Sequence, residues 1–396
     1  MGGAPNDRSD DSHVSADGSV VVFRSLADNL VDGDTNGVAD VFLHDVLTGE
    51  VLRVSVASDG AQSNGPSSTP RVSGDGQVIT FRSSATNLVT GDTNAADDVF
   101  VHDRRTGQTT RVSVDSDGNE ANRGSSWPSL SGDGRWVAFG STATNLVDEN
   151  ARGAGDVFVH DRLTGTTNLV SVDPNGEAVF GTSGEPVLSA DGRRFVFRST
   201  SRNLLPGEDV NHFDLYVRDL VAGVTVRASQ RPDGGVPEPD NSDGELSASG
   251  RFVVYGSTAT DILPGDTNGD SDIYLYDTAT GVTERISVNT AGEQANGRSA
   301  YPSVSADGQR VVFFSDATNL DPRATNGRSH IYLRDRELGT TVAVSLSFDG
   351  SPSVGSSLDP SISSDGTHVV FRSSNDNLLP DDVDTSSSVY RVTLPE

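Results

Sequence analysis

The stretch that decides the fold is "VSADGSVVVF", residues 14–23, in which a Ser-Ala-Asp-Gly turn runs directly into an apolar segment. The turn returns every 58 residues, which is 75 minus 17 and the same at every later step. The residue before its Gly is Asp or, once, Ser: Asp17, Asp75, Asp133, Asp191, Ser249, Asp307 and Asp365. Such strict spacing without insertions indicates seven copies of one supersecondary unit.

Each copy contains the signals of four short strands. A segment such as "TPRVS" leads into the Asp-Gly turn and the apolar run follows it. After a longer connection come "DVFLHD", a tight Thr-Gly turn and "EVLRVSV". Asp-Gly and Thr-Gly pairs are typical of hairpins, because Gly adopts a positive φ at little cost. The apolar run has no polar side and needs cover on both faces, whereas the last segment alternates as an outer strand does.

Seven four-stranded units that need cover on both faces predict radial stacking around an axis. A solenoid is the alternative, but its repeats are usually shorter and do not meander through four strands. We therefore expect one domain over residues 1–396, an all-β fold that forms a seven-bladed β-propeller of four-stranded antiparallel blades.

The recurring S-x-D-G turn with its apolar run, followed by D-(V/I)-(F/Y)-(V/L)-x-D, resembles the WD-like repeat of TolB-type β-propellers. This resemblance covers essentially the whole chain. It implies the fold but no single activity, because the family includes periplasmic interaction proteins, the propeller halves of peptidases and sugar lyases. The Trp-Asp dipeptide of eukaryotic propellers is absent.

Composition excludes several classes of function. The 57 acidic and 29 basic residues give a formal charge of −28, which opposes binding to nucleic acid and to anionic membranes. All of the basic residues are Arg, so a Schiff-base or phosphate-loop Lys is excluded, and the absence of Cys excludes thiolate chemistry and disulfides. No apolar run approaches the roughly 18 residues of a membrane span, and the first residues lack a signal-peptide pattern.

The seventh copy ends early. Glu396 stands at the repeat position of Thr48, because 396 minus 348 is 48, so the outer strand that follows Thr48 has no equivalent in the last copy. One interpretation is that a longer precursor supplies this strand from upstream. The other is that the open edge pairs with a strand of a partner or of a second copy, which predicts a homo-oligomer joined at the incomplete blade.

The connection between the second and third strands is acidic in several copies. Alternating Asp and Asn with a Gly suit calcium, which takes six to eight oxygen ligands. Blades one, two and five carry the candidate ligands of a structural calcium ion: Asp32, Asp34, Asn36, Asp40, Asp92, Asn94, Asp98, Asp266, Asn268 and Asp272. Weaker versions occur in blades three, four and seven: Asp148, Asn150, Asp156, Glu208, Asp209, Asn211, Asp214, Asp381, Asp382 and Asp384. The alternative is that these residues only form turns, which Asp and Asn favour.

Chemistry is expected where the repeat changes from blade to blade. At the position entering the first strand, Trp127 and Tyr301 replace polar residues, so they are candidates for stacking against a sugar, with core packing as the alternative. The varied ring His13, Arg71, Ser129, Val187, Glu245, Ser303 and Ser361 supplies no obvious catalytic cluster. The Ser and Asn that follow the second strand recur in nearly every copy and are therefore read as structural.

These observations predict a secreted or cell-surface propeller, extracellular or periplasmic, that binds a protein or glycan partner and has no catalytic residues. One alternative is a lyase or glycoside hydrolase acting on a polysaccharide in the axial cleft. The other is a self-assembling surface or filament protein joined through the incomplete blade.

Overall fold

The computed structural model describes residues 5–148, 154–207, 212–237, 241–375, 377–380 and 387–395, with side chains left undescribed at 241–243. These residues form 27 strands, β1 to β27 in chain order, arranged as seven antiparallel sheets. Six sheets have four strands and the last has three, β25-β26-β27, as the sequence predicted. Within these ranges there is no helix long and apolar enough to cross a bilayer.

Successive strands of each blade run outward from the axis. The innermost strands are Ser9–Val14, Ser67–Val72, Ser125–Leu130, Ser183–Leu188, Asn241–Leu246, Ser299–Val304 and Ser357–Ile362. The second strands are Val20–Ser25, Val78–Ser83, Trp136–Ser141, Arg194–Ser199, Phe252–Ser257, Arg310–Ser315 and His368–Ser373. The third strands are Asp40–Asp45, Asp98–Asp103, Asp156–Asp161, Asp214–Asp219, Asp272–Asp277, His330–Asp335 and Ser388–Thr393. The outer strands are Glu50–Arg53, Gln108–Arg111, Thr166–Leu169, Val224–Arg227, Val282–Arg285 and Thr340–Ala343.

The core lies between neighbouring blades. The second strands are buried along most of their length, which confirms that they are covered on both faces. Each blade also stacks an aromatic ring of its second strand on one of its third, for example Phe81 on Phe100 with centroids 5.9 Å apart. A stacked pair of this kind adds about 1 kcal/mol beyond burial.

The Ser-x-Asp-Gly turn holds its shape through side-chain hydrogen bonds. In blade three, Ser131 Oγ donates to Asp133 Oδ1 at 2.6 Å and accepts the backbone N–H of Trp136 at 2.9 Å. Asp133 Oδ1 also accepts the N–H of Arg135 at 3.0 Å. In blade five, Ser249 takes the place of the Asp, and its hydroxyl contacts Ser247 Oγ at 3.0 Å.

The small residue between Ser and Asp links the blades around the axis. The N–H of Gly74 donates to the carbonyl of Gly132 at 2.9 Å, and that of Gly132 donates to Ala190 at 2.9 Å. Equivalent bonds join blades one to two, four to five and six to seven. A Cβ on Gly132 would meet the Cβ of Ala190 at 3.0 Å, so this position accepts only small residues.

The ring closes between blades seven and one without a shared strand among the described residues. The N–H of Asp365 donates to the Ala16 carbonyl at 3.1 Å, and Arg391 Nε donates to the Gly18 carbonyl at 3.1 Å. The apolar cluster at this junction includes Val14, Val21 and Val370. Among the described residues it contains fewer buried residues than any other interblade cluster. Strand Ser388–Thr393 is the outer edge of blade seven, and its pairing with a further strand stays a prediction.

Replacing Asp133 by Ala tests the turn. The change leaves Ser131 Oγ and one backbone N–H without their acceptor, so we expect the free energy of unfolding to fall by about 1–2 kcal/mol in urea denaturation. The matched control is Asp133→Ser, which copies the natural turn at Ser249 and should cost less than the Ala variant. Equal losses in the two variants would show that the side-chain acceptor is not what stabilises the turn.

Candidate functional site

One end of the propeller axis opens into a cavity of about 710 Å³. Its wall is made by the innermost strands of all seven blades. Asp97 and Pro66, from the connections that precede the strands Asp98–Asp103 and Ser67–Val72, also line it. The cavity, called here the axial pocket, therefore opens on the face that carries the long interstrand connections.

The rim of the axial pocket is formed by residues at one repeat position that adopt a left-handed backbone. Six residues other than Gly have φ between 48° and 54° there: Asp11, Thr69, Trp127, Glu185, Tyr301 and Asp359. The pairing register of their strands shifts at the same place, which marks a β-bulge. A left-handed conformation costs about 1–2 kcal/mol per residue, and bulges beside active sites commonly re-aim a side chain. Here the bulge turns one side chain per blade toward the pocket mouth.

Two of these rim residues are aromatic and accessible. Trp127 is 49% exposed and Tyr301 is 43% exposed, and both line the axial pocket. Trp127 lies against Gly140, where a Cβ would meet its ring at 3.3 Å, and Tyr301 packs on Phe314 with centroids 5.6 Å apart. Because each residue packs against a neighbour and stays nearly half exposed, both rings can contact a ligand in the pocket.

Most rim carboxylates have an arginine partner. Arg198 Nη1 lies 2.9 Å from Glu185 and Arg372 Nε lies 3.0 Å from Asp359, whereas Arg24 Nη1 lies 3.0 Å from Asp10, the neighbour of the rim residue Asp11. The three arginines occupy one repeat position, because 198 minus 24 and 372 minus 198 are both three times 58. Burial nevertheless raises the pKa of Asp359, with Arg372 opposing the shift.

The floor of the axial pocket brings together three titratable side chains from different blades. His13, Arg71 and Glu245 occupy one repeat position, are partly buried and line the pocket. Burial raises the pKa of Glu245 to about 7 against the opposing charge of Arg71. Burial, reinforced by Arg71, lowers the pKa of His13 to about 3, so the imidazole is neutral at pH 7. The sequence placed these three in one varied ring but predicted no catalytic cluster there, because a repeat pattern does not show which members of the ring are buried in one pocket.

The predicted calcium ligands lie in the long connections, where arginines from the outer strands contact them. Arg53 Nη1 lies 3.0 Å from Asp34 and 3.6 Å from Asp40. Arg111 stands in the same relation to Asp92 and Asp98, at 3.7 and 3.3 Å. Arg285 lies 3.7 and 3.6 Å from Asp266 and Asp272. In all three loops a guanidinium group already supplies positive charge between the carboxylates.

The remaining loop donors also have partners. Asp40 is fully buried and accepts hydrogen bonds from Ser55 Oγ and Ser63 Oγ at 2.5 and 2.9 Å. The Oδ1 atom of Asn36 accepts the N–H of Val38 at 3.1 Å, and Asn94 and Asn268 make the equivalent bond. Asp32 is exposed on the turn. Calcium in these loops stays a prediction.

Several weaker candidates lie outside the described residues: Asn150, Glu208, Asp209, Asn211, Asp381, Asp382 and Asp384. Within the described ranges, no group of three or more His, Asp or Glu side chains is arranged to hold a metal ion. The sequence repeat also indicates the arginine partners of these loops, although they were not among the predicted site residues. Arg53, Arg111 and Arg285 each follow the last Asp of their loop by 13 residues, for example 53 minus 40.

Comparison with solved structures supports the fold. No family model and no curated protein matches this chain. The β-propeller domain of the Trilobed protease from Pyrococcus furiosus is 11% identical, with a TM-score of 0.57 over 100% of this chain and 97% of that one. An oligogalacturonate lyase from Vibrio parahaemolyticus is 13% identical, with a TM-score of 0.54 over 97% of this chain and 89% of that one. TolB from Acinetobacter baumannii also matches, at 16% identity and a TM-score of 0.44, over 86% of this chain and 63% of that one.

These matches correct the prediction of a non-enzymatic binding or scaffold module. Besides the TolB proteins they include oligogalacturonate lyases, one of them in complex with manganese, and prolyl endopeptidase and acylaminoacyl peptidase structures of which this chain covers 50% and 44%. At these identities the likeness shows the fold alone, and that fold is shared with enzymes. The prediction also relied on an absent catalytic cluster, whereas the axial pocket does gather His13, Arg71 and Glu245.

Glu245→Gln tests the raised pKa of the floor carboxyl. Between about pH 4.5 and 7 the folded protein keeps a proton that the unfolded chain releases, so the free energy of unfolding falls as pH rises through this window. The Gln variant cannot lose a proton. We therefore expect it to be more stable than the parent at pH 8, with a smaller advantage or none at pH 5, in urea denaturation.

The control is Glu50→Gln on an exposed turn, which should change stability equally at both pH values. A stability difference between the Glu245→Gln variant and the parent that does not depend on pH would rule out the raised pKa.

Proposed function

We propose that this protein is an enzyme that cleaves polysaccharide chains bound in the axial pocket. The observation that carries the proposal is the combination of two accessible aromatic rings at the rim with Glu245 and Arg71 at the floor. Aromatic side chains stack on the apolar faces of sugar rings, and an acid-base group below them is what glycosidic bond cleavage requires. The same chemistry makes a glycan the partner of this face.

Glu245 is the proton-transferring residue in this proposal. With a pKa of about 7 it is present in both protonation states near neutral pH, which suits a group that must both accept and donate a proton. In a β-elimination, the Glu245 carboxylate takes a proton from a sugar carbon, a C=C bond forms, and the C–O bond to the leaving sugar breaks. The leaving oxygen then takes the proton back from Glu245, so the enzyme ends the cycle unchanged.

The surroundings of Glu245 favour a lyase over a glycoside hydrolase. A hydrolase needs a second carboxylate that is free to act as base or nucleophile. Asp11 Oδ2 accepts the N–H of Thr69 at 2.6 Å, and Glu185 and Asp359 are paired with arginines. A lyase needs one base and a cation that stabilises the developing negative charge, and Arg71 can supply that cation.

The comparisons add limited support. Two matching structures are titled oligogalacturonate lyase, and they share the fold over nearly the whole chain. The manganese of one of them enters no step here, because the described residues hold no matching donor cluster.

An extracellular or periplasmic location belongs to the same proposal, because polysaccharides are found there.

Assaying a panel of polysaccharides tests the proposed activity. A lyase releases unsaturated sugar ends that absorb in the ultraviolet, whereas a hydrolase releases reducing ends without that absorbance. We expect the unsaturated product, and we expect Glu245→Gln to lower kcat by about 10²- to 10⁴-fold, as loss of general acid-base catalysis does.

At the rim, Trp127→Ala should raise KM, and Trp127→Phe should retain most of the binding because it keeps a ring. If no neutral or acidic polysaccharide is cleaved, or if the Glu245→Gln variant cleaves as fast as the parent, the proposal fails.

Structural calcium in the acidic loops is a separate proposal. It is supported by the paired carboxylates of blades one, two and five, which are nearly buried and whose repulsion any cation would relieve. Burial raises the pKa of Asp34, Asp92, Asp98 and Asp272, because the ionised carboxylates are less well hydrated there, and a nearby cation opposes that shift. Calcium and the guanidinium group compete for the same oxygens.

The variant Arg111→Ala tests whether calcium can take the place of the guanidinium group. The change leaves Asp92, Asp98 and Glu120 without their guanidinium partner, so we expect a loss of about 3 kcal/mol in the absence of calcium. Millimolar calcium should then raise the melting temperature of the variant more than that of the parent, measured against EDTA. The control, Arg105→Ala, removes an exposed arginine and should change the stability little, without any response to calcium. A variant with no calcium response would exclude the loop of blade two as a site.

A further inference from the structure

The two aromatic residues at the rim of the axial pocket lie on opposite sides of its mouth. Trp127 and Tyr301 occupy one repeat position three blades apart, because 301 minus 127 is three times 58. The innermost strands contact one another in chain order and the seventh contacts the first, so the blades form one ring. Three steps around a ring of seven are nearly half a turn. With inner strands at most about 10 Å apart, the two positions are separated by roughly 15 to 20 Å.

Each aromatic ring leans away from the axis, onto a second strand. A Cβ on Gly140 would meet the Trp127 ring at 3.3 Å, and one on Gly184 of the next blade would meet it at 3.6 Å. Tyr301 packs on Phe314, with centroids 5.6 Å apart. Gly140 and Phe314 replace an arginine that four other blades carry at this repeat position: Arg24, Arg82, Arg198 and Arg372. The mouth between the two rings therefore stays open.

A chain that reaches both rings crosses the mouth between the titratable groups of the floor. The line from blade three to blade six leaves blades four and five on one side and blades seven, one and two on the other. Glu245 belongs to blade five, whereas His13 and Arg71 belong to blades one and two. The N–H of Val72 donates to His13 Nδ1 at 3.4 Å, which orients the imidazole. The middle of such a chain thus lies over the floor, with Glu245 on one side of it and Arg71 on the other.

We propose that Trp127 and Tyr301 form two separate sugar subsites, one on each side of the linkage that is cleaved. The inference rests on the proposed function and adds where the enzyme acts: inside a chain long enough to span the mouth, rather than at a chain end. Aromatic faces contact the apolar faces of many sugar rings, so these subsites select chain length rather than sugar type. A ligand held at two linked points binds much more tightly than a ligand held at one.

Equilibrium binding of oligosaccharides of increasing length tests the two subsites without turnover. The probes are an acidic series, oligogalacturonates, and a neutral series, cello-oligosaccharides, each of one to eight units. They are titrated by calorimetry into the Glu245→Gln variant, which lacks the proposed proton-transferring residue. In at least one series, we expect a chain that spans the mouth to bind at least about 100-fold more tightly than the disaccharide.

The same titrations with a ring removed assign the effect to the rim. Trp127→Ala and Tyr301→Ala should each weaken the spanning chain by at least about tenfold, because each removes one of two linked contacts. Neither should weaken the disaccharide by more than about twofold, since it can use the other ring. The matched control is Phe348→Ala, which removes a ring that is 60% exposed but does not line the pocket, and it should change neither affinity.

The position of cleavage gives a second readout in the protein with Glu245 in place. On an oligosaccharide labelled at its reducing end, Trp127→Ala and Tyr301→Ala should shift the cleaved linkage in opposite directions, because each removes the contact on one side of it. A shift in the same direction would place both rings on one side of the linkage and overturn the proposal.

An affinity that does not rise with chain length, or Ala variants that weaken the disaccharide as much as the longer chains, would also overturn it and indicate a single sugar site. Length-dependent binding through both rings without cleavage of any polysaccharide leaves the two subsites in place and overturns the proposed function. Cleavage by a protein whose affinity is independent of chain length does the reverse.

Discussion

The inter-blade hydrogen bonds of the Ser-x-Asp-Gly turns are the constraint on which the rest of this propeller depends. The residue between Ser and Asp is Ala, Gly or Ser in every copy, and in five copies its N–H donates to the carbonyl of the same position one blade on. A larger side chain would push the blades apart, because a Cβ on Gly132 would already approach the Cβ of Ala190 to 3.0 Å. These bonds set the spacing of the innermost strands at one end of the axis. The width of the axial pocket at the other end follows from that spacing and from the bulges at its rim.

Along each innermost strand, the residues that repeat lie toward the turn and the residues that vary lie toward the rim. Toward the turn, each blade repeats the same hydrogen bonds, so those residues cannot discriminate between ligands. Toward the rim, the backbone still repeats, with a left-handed residue in six blades, but the side chain is free to vary. This variation places the aromatic residues Trp127 and Tyr301 at the rim. At the floor it places His13, Arg71 and Glu245. The repeated backbone holds each of them in a fixed direction, and their combined effect is a pocket that is unlike any single blade.

The carboxylates of the long connections and those of the pocket rim receive the same kind of partner. In the long connections, Arg53, Arg111 and Arg285 lie between pairs of Asp, and at the rim Arg198 and Arg372 pair with Glu185 and Asp359. In a chain of formal charge −28 with no Lys, the cation placed against these carboxylates is a planar guanidinium group. Glu245 departs from this pattern, because among the described residues it has no arginine within ion-pair distance, and burial raises its pKa to about 7. That departure is the physical reason to assign the chemistry to Glu245.

The sequence by itself determined the period, the seven blades, the strand order within a blade and the shortened last sheet, because these depend on local turn chemistry and on apolar patterning that repeats in register. It also singled out Trp127 and Tyr301, since a break in a repeat is visible in one dimension. Only the tertiary structure decided that His13, Arg71 and Glu245 share one floor, that Asp34 and Asp40 face Arg53, and that a backbone N–H fixes the imidazole of His13. Those relations join different blades or opposite sides of one sheet. They arise from ring closure and strand pairing, and a repeat pattern contains neither distance nor burial.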